Sequence, residues 1–265
     1  VKRKYKRSRR LKKAFNFYLD WFVKHIQTPI GITIVVGFVL IFIISVLDIR
    51  YLETSNGRDI LIEAHGLLFD IFVFGVLLAY LNKFLEKKQR SERYKEEIDD
   101  FRGWEEKEAK YRIVGNIKRL NKLGFGRINL ANCYLEGADL HSANLVKSNL
   151  KNVDLSGANL VYADLSYTDL SNANLSGANL THALLRGANL TNANLIGCKM
   201  DYTSLWRALL IEADISKASL INTNLLEADL SRIKYEDTDF SKVNIDQAIA
   251  DTSLKKAVTE QQMME

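Results

Sequence analysis

Proline occurs once, at Pro29, and cysteine twice, at Cys133 and Cys198. A single proline excludes a proline-rich linker or a polyproline ligand. Two cysteines exclude a disulfide framework and supply no Cys/His metal spacing. The four histidines (His25, His65, His141 and His182) are scattered, and no Walker loop, G-x-G-x-x-G or H-E-x-x-H is present. Asp and Asn are abundant, but the repeat described below accounts for nearly all of them, so no acid pair stands out as catalytic. Neither enzymatic activity, a cofactor nor a metal is expected. The chain starts at Val1 rather than Met, from which a trimmed N-terminus is expected.

Bulk composition, 47% hydrophobic and 26% charged with net charge +5, averages over regions of different kinds. Residues 30–47 read IGITIVVGFVLIFIISVL, eighteen residues without a charge. A transmembrane helix needs about 20 apolar residues to cross ~30 Å of hydrocarbon. A second run, residues 60–81, is long enough but contains Glu63, His65 and Asp70. A short turn at Ser55, Asn56 and Gly57 would pair the two as a transmembrane hairpin over residues 30–81. Cations crowd residues 2–24 and 83–90, whereas the loop of residues 48–59 has only Arg50 and Arg58. The positive-inside rule then places both termini in the cytoplasm of a multi-pass inner-membrane protein. No small-residue cleavage site follows the apolar run, so a cleaved signal peptide is not expected. Within residues 1–29, Tyr5, Phe15, Trp21 and Phe22 interleave with lysines and arginines. That mixture suits an interfacial segment on anionic lipid better than a nucleic-acid patch.

A carboxylate near the bilayer centre costs roughly 2.5–3.5 kcal/mol on insertion scales, so Asp70 requires a partner or a wet cavity. A second copy supplies the first and implies a homo-oligomer; a protonated Asp70 bonded within the hairpin is the alternative. Residues 82–124 are rich in Glu, Lys and Arg and read as a helical connector, with breaks at Gly103 or Gly115. Its last part, residues 111–123, is expected to cover the open end of whatever follows.

From Leu130 to Ile245 an apolar residue returns every five positions, 24 times in succession. Two residues earlier stands a small one, such as Ala138, Ala158, Ala178 or Cys198, and between them is mostly Asn or Asp. Residues two apart in an extended segment point the same way, so the small and large residues share one interior. Each pentapeptide is then one side of a coil. Gly137, Gly157, Gly177 and Gly197 recur every 20 residues, and glycine suits a sharp turn. Four sides per coil and six coils follow, roughly 29 Å tall at ~4.8 Å per coil. Cys133 and Cys198 fall on inward positions about three coils apart, on the order of 15 Å and too far to bridge.

Tandem A-D/N-L-x-x, as in ADLHSANLVKSNL and ANLSGANLTHALLRGANLTNANL, resembles the pentapeptide-repeat family over roughly residues 128–250. The resemblance implies a right-handed quadrilateral parallel β-helix. It implies little about function, since members include acidic DNA mimics that protect topoisomerases and many of unknown role. Leu184, Lys199, Ser204, Leu209 and Lys234 stand where Asn or Asp is usual. Two spans, a charged connector and pentapeptide repeats also look like a group of bacterial membrane proteins with no settled activity. The expected fold class is therefore α + β: a basic segment (1–29), a transmembrane hairpin (30–81), a connector (82–124), the β-helix (125–250) and a cap or tail (251–265).

Residues 128–250 carry 9 Lys/Arg against 14 Asp/Glu, a net of −5. Interspersed cations break up the dense negative face that DNA mimicry wants. Stacking the sequence modulo 20 aligns Leu184, Trp206 and Leu226 on one side and Leu209 and Ile211 on the next. An exposed apolar cluster of this kind marks a partner surface. Tyr162, His182 and Tyr202 stack at one corner, where an aromatic ladder stabilises the coil. The leading expectation is a membrane-anchored scaffold presenting the β-helix to a cytosolic protein. An oligomeric channel or effector with Asp70 lining a polar path is the alternative, and a topoisomerase modulator ranks third.

Overall fold

The computed structural model describes residues 55–240 and 242–263. Of residues 55–65, 67–69 and 71 it describes the backbone alone. The basic segment and the apolar run of residues 30–47 lie outside the described residues. Two compact units divide the chain between Lys88 and Gln89.

Helix α1, Ser55–Asp100, runs for 46 residues. Ser55, Asn56 and Gly57 are its first turn, not the hairpin turn expected there. Residues 60–81 are the N-terminal part of this one helix. Between residues 73 and 85 its apolar side chains are largely exposed, among them Phe74, Leu77 and Phe84. Among the described residues no helix is long and apolar enough to cross a membrane.

In the second unit the chain leaves α1 and bends at Gly103, φ 79°. Helix α2, Lys107–Lys122, runs unbroken through Gly115. Its buried residues, Ala109, Ile113, Asn116, Ile117 and Leu120, form one stripe at helical spacing. Gly124 ends it with φ 80°. The Gly124 N–H donates to Asn121 O (2.8 Å) and the Phe125 N–H to Leu120 O (3.0 Å). This double closure is the Schellman motif, which satisfies carbonyls a helix end leaves free.

The solenoid follows. Parallel bridges, one per pentapeptide, join residues 20 apart, from Asn129↔Asn149 to Asp229↔Ile249, so a coil takes four sides of five residues. Leu130, Leu135, Leu140 and their successors are buried, as are Ala138, Ala158 and Ala178 beside them. Every turn of the repeat has its second residue at positive φ, from Asn132 (58°) through Tyr162, His182 and Arg207 to Asp237 (55°). The 20-residue glycine period is thus not what sets the corner. Left-handed backbone is required at all four corners, and glycine fills only some of them.

The backbone hydrogen bonds explain the sequence pattern. Two N–H groups per pentapeptide point to the following coil, as Leu130 N to Asn149 O (2.7 Å) and Asn132 N to Lys151 O (3.0 Å). One points back, as Asn149 N to Ile128 O (3.0 Å), and one closes the turn, as Cys133 N to Leu130 O (3.2 Å). The fifth donates to the Asn or Asp side chain two residues earlier, as Ser156 N to Asp154 Oδ1 (2.9 Å). Asn and Asp are therefore favoured before each leucine because they close this Asx turn.

Both ends are covered. Asn121 substitutes for a missing rung: its Oδ1 accepts the Asn144 N–H (2.8 Å) and its Nδ2 donates to Asn144 O (2.8 Å). Arg102 donates to the carbonyls of Asn129 and Ala131, and Lys110 to that of Glu136 (2.7 Å). At the far end helix α3, Thr252–Met263, buries Leu254 and Val258. Its Gln261 Oε1 accepts the Phe240 N–H (3.0 Å).

Candidate interaction surface

Reactive chemistry is scarce among the described residues. Burial pushes the Cys133 thiol up to about 11 and the Cys198 thiol up to about 12. Both are free, buried and held in the unreactive thiol form. No group of His, Cys, Asp and Glu there could hold a metal ion. A cleft of about 580 Å³ lies between α3 and the last coil, lined by Lys242, Asp246, Lys255 and Gln262 among others. A second, of about 590 Å³, lies along α2 beside Tyr111, Arg112 and Arg119.

The aromatic column is a true stack. Tyr162 and His182 lie 4.9 Å apart with an interplanar angle of 2°, and His182 and Tyr202 4.9 Å apart at 18°. His141 meets Tyr162 edge-on at 5.8 Å. All three stacked residues occupy left-handed corners. Rings one coil apart stand at the stacking distance the ladder imposes, and the arrangement stabilises neighbouring coils.

Trp206 has a different setting. The Arg186 and Arg207 guanidinium carbons sit 4.7 and 4.6 Å from its ring centroid. Arg207 Nε also donates to Glu227 Oε2 at 2.6 Å. That bond holds the Glu227 carboxyl below the usual carboxylate range. The buried Trp206 Nε1–H itself meets no acceptor at hydrogen-bond geometry. Trp206 and Ile211 are half-buried, whereas Leu184, Leu209 and Leu226 are exposed, at 47%, 41% and 37%. Leu184 bridges to Ser204 on one side of the coil and Leu209 to Asp229 on the next. The surface is thus cationic and aromatic at its centre and apolar around it. Sequence reasoning named the apolar members and missed Arg186, Arg207 and Glu227. The same modulo-20 alignment contains them, since 186, 206 and 226 share a column, as do 207 and 227.

This corner also departs from the repeat. Leu184, Ser204 and Leu209 stand where Asn or Asp closes the turn elsewhere. Among the described residues the Asx bond to the N–H of Arg186, Trp206 and Ile211 is absent. Ser219 departs likewise, but there Asp201 Oδ1 accepts the Ile221 N–H instead (3.1 Å). Tyr134 and Lys199 leave the N–H of Glu136 and Asp201 without this bond as well, so the exposed leucines beside Trp206 are what mark the surface.

Of the intramembrane candidates, Glu63 and His65 lie in the part of α1 described by backbone alone. Asp70 lies in the same helix and is exposed.

Residues 125–160, 154–192 and 188–225 each match the family profile described as pentapeptide repeats (8 copies). No curated protein matches the sequence. Solved structures similar to this chain include the following three. HetL, a pentapeptide repeat protein involved in heterocyst differentiation regulation in Nostoc sp. strain PCC 7120, is 25% identical. The match covers 48% of this chain and 71% of HetL, with a TM-score of 0.26. Rfr23 from the cyanobacterium Cyanothece 51142 is 30% identical over 46% of this chain and 66% of its own, with a TM-score of 0.23. The plasmid-mediated fluoroquinolone resistance protein QnrB1 is 19% identical over 52% and 72%, with a TM-score of 0.32.

Proposed function

We propose that the chain, whose residues 125–225 match the pentapeptide-repeat profile, is a non-enzymatic, membrane-attached scaffold that offers the corner around Trp206 to a protein partner. The observation that carries this reading is the Arg186–Trp206–Arg207 cluster, set among exposed Leu184, Leu209 and Leu226 where the repeat forgoes its own turn bonds. Tryptophan and arginine dominate binding energy at protein interfaces, chiefly where neighbouring apolar contacts exclude water. The partner that fits presents an apolar side chain to the leucines and a carboxylate to Arg186.

Membrane attachment is supported by the uncharged run of residues 30–47, the distribution of cations around it, and the exposed apolar side chains of α1. In this reading the basic N-terminus lies on anionic lipid, the β-helix is cytoplasmic, and several copies assemble. Flotation of the full chain with vesicles of phosphatidylethanolamine and phosphatidylglycerol tests the attachment; protein left at the bottom of the gradient removes it. For the surface, the full chain is used as bait beside its Trp206→Asp and Arg186→Glu variants. The scaffold reading expects a retained protein that both variants release. An identical set of retained proteins for all three eliminates this corner as the site.

A further inference from the structure

We infer that the cleft between α3 and the last coil binds a small organic anion, with Lys242, Lys255 and the Ile245 N–H as its donors. At about 580 Å³ the cleft falls within the ~300–1,000 Å³ typical of small-molecule sites. α3 turns Lys255, Val258, Thr259 and Gln262 toward it, residues three and four apart that share one helical face. The other wall is the last coil from Lys242 to Asp246. Its backbone is the C-terminal edge of the solenoid, where no further coil follows to accept from the N–H groups.

At two other points on that edge the chain supplies the acceptor itself. Gln261 Oε1 accepts the Phe240 N–H (3.0 Å), and Asp251 Oδ2 accepts the Arg232 N–H (3.1 Å). The Ile245 N–H meets no acceptor among the described residues. The carbonyls beside it are already taken, because Gln262 Nε2 donates to Val243 O (2.9 Å) and Phe240 O (3.3 Å). The Thr259 hydroxyl donates to Lys255 O (2.9 Å). An added β-strand both donates to and accepts from the edge it joins, and here only a donor is left. Lys242 and Lys255 are exposed and form no ion pair among the described residues, whereas the adjacent Lys256 faces Glu260 (3.7 Å). The cleft therefore holds two ammonium groups and an N–H, with the Asp246 carboxylate as its one opposite charge.

That set selects the ligand. One acidic group, a carboxylate or a phosphate ester, satisfies the lysines and the N–H, and hydroxyls beside it donate to Asp246. A second acidic group would be repelled by Asp246. Lys255 belongs to α3 and Lys242 to the coil, so the bound anion ties the cover to the stack. This site does not depend on what the Trp206 corner binds.

Saturation-transfer NMR on the full chain in detergent micelles tests it, with glycerol 3-phosphate and glycerate as probes and glycerol as the control without an acidic group. Saturable binding of at least one acidic probe is expected, and none of glycerol; the probe that binds tells a phosphate ester from a carboxylate. Lys255→Glu should weaken that binding roughly tenfold or more, and Lys242→Gln serves should the first variant fail to fold. Lys256→Glu should change it far less. Exchange of the Ile245 amide should slow several-fold when the probe is bound. No saturation by either acidic probe, equal binding of glycerol, or the same loss from Lys256→Glu as from Lys255→Glu overturns the site.

Discussion

Gly187 and Gly157 share a left-handed backbone, φ +60° and +63°, and differ in what surrounds them. A Cβ on Gly157 would meet nothing within 4 Å, whereas one on Gly187 would sit 2.8 Å from the Tyr167 ring one coil before. Left-handed geometry costs an L-residue roughly 1–2 kcal/mol, a cost the solenoid bears at every non-glycine corner. Gly157→Ala should therefore destabilise by about that amount. Gly187→Ala should cost clearly more, and Tyr167→Ala should recover the excess. Chemical unfolding of the single and double variants checks this; equal costs at the two glycines would show that Tyr167 moves aside freely. The interior follows another rule. Polar residues at inward positions carry their own hydrogen bonds, as Thr203 Oγ1 to Leu180 O (2.7 Å) and Thr223 Oγ1 to Met200 O (2.7 Å). A buried hydroxyl is tolerated when it is satisfied.

Among the elements, α2 and α3 perform one task at opposite ends. A sheet edge exposes unpaired N–H and C=O groups and invites further strands. The first coil's N-terminal edge is met by Arg102, Lys110 and the Asn121 amide, and by the Lys118–Asp139 ion pair at 3.1 Å. Asn121→Ala removes both bonds to Asn144 and leaves its packing neighbours in place. Each hydrogen bond is worth about 0.5–1.5 kcal/mol, so amide exchange at Asn144 should speed up by roughly tenfold. Exchange near Leu195, in the middle of the stack, should not change. Equal acceleration at both places would mean that the end opens only with the whole solenoid.

On the scale of the whole molecule, the ladder has a direction. Two N–H groups per pentapeptide face the C-terminal end and one faces back. The N-terminal edge thus presents an excess of carbonyls and the C-terminal edge an excess of N–H donors. The covers match this polarity: cations and an amide meet the first edge, and at the other Asp251 Oδ2 accepts the Arg232 N–H (3.1 Å). Titration adds limits on both sides of neutrality. Lys118 holds the Asp139 carboxyl below its ordinary 3.8, and Arg207 holds Glu227 below its ordinary 4.5. Both carboxylates contribute stability above those ordinary values and lose it as pH falls through the lowered folded ones, modestly because both are exposed. The raised thiols act in reverse. The unfolded chain releases its Cys198 proton above 9.0 while the fold keeps it to about 12, so stability falls as pH rises past 9.0. Melting temperature plotted against pH should form a plateau between these limbs, and Cys198→Ala should flatten the alkaline one. An alkaline limb unchanged by that substitution would place its cause elsewhere.

The five-residue period determined the side of the coil and its interior, and the 20-residue recurrence of glycine its closure, without reference to coordinates. Residues two apart share a side, and the apolar ones among them must meet. The Asn and Asp before each leucine were visible as a pattern, but their role was not, because an Asx turn is a matter of backbone geometry. Only tertiary structure decided that Trp206 lies between Arg186 and Arg207, that Ser55 begins a helix, and that Asn121 completes a rung with Asn144. Each of these depends on which way a side chain or a chain end turns in space. Sequence spacing places neighbours along a period, while the direction of approach between elements is set by packing that no period encodes.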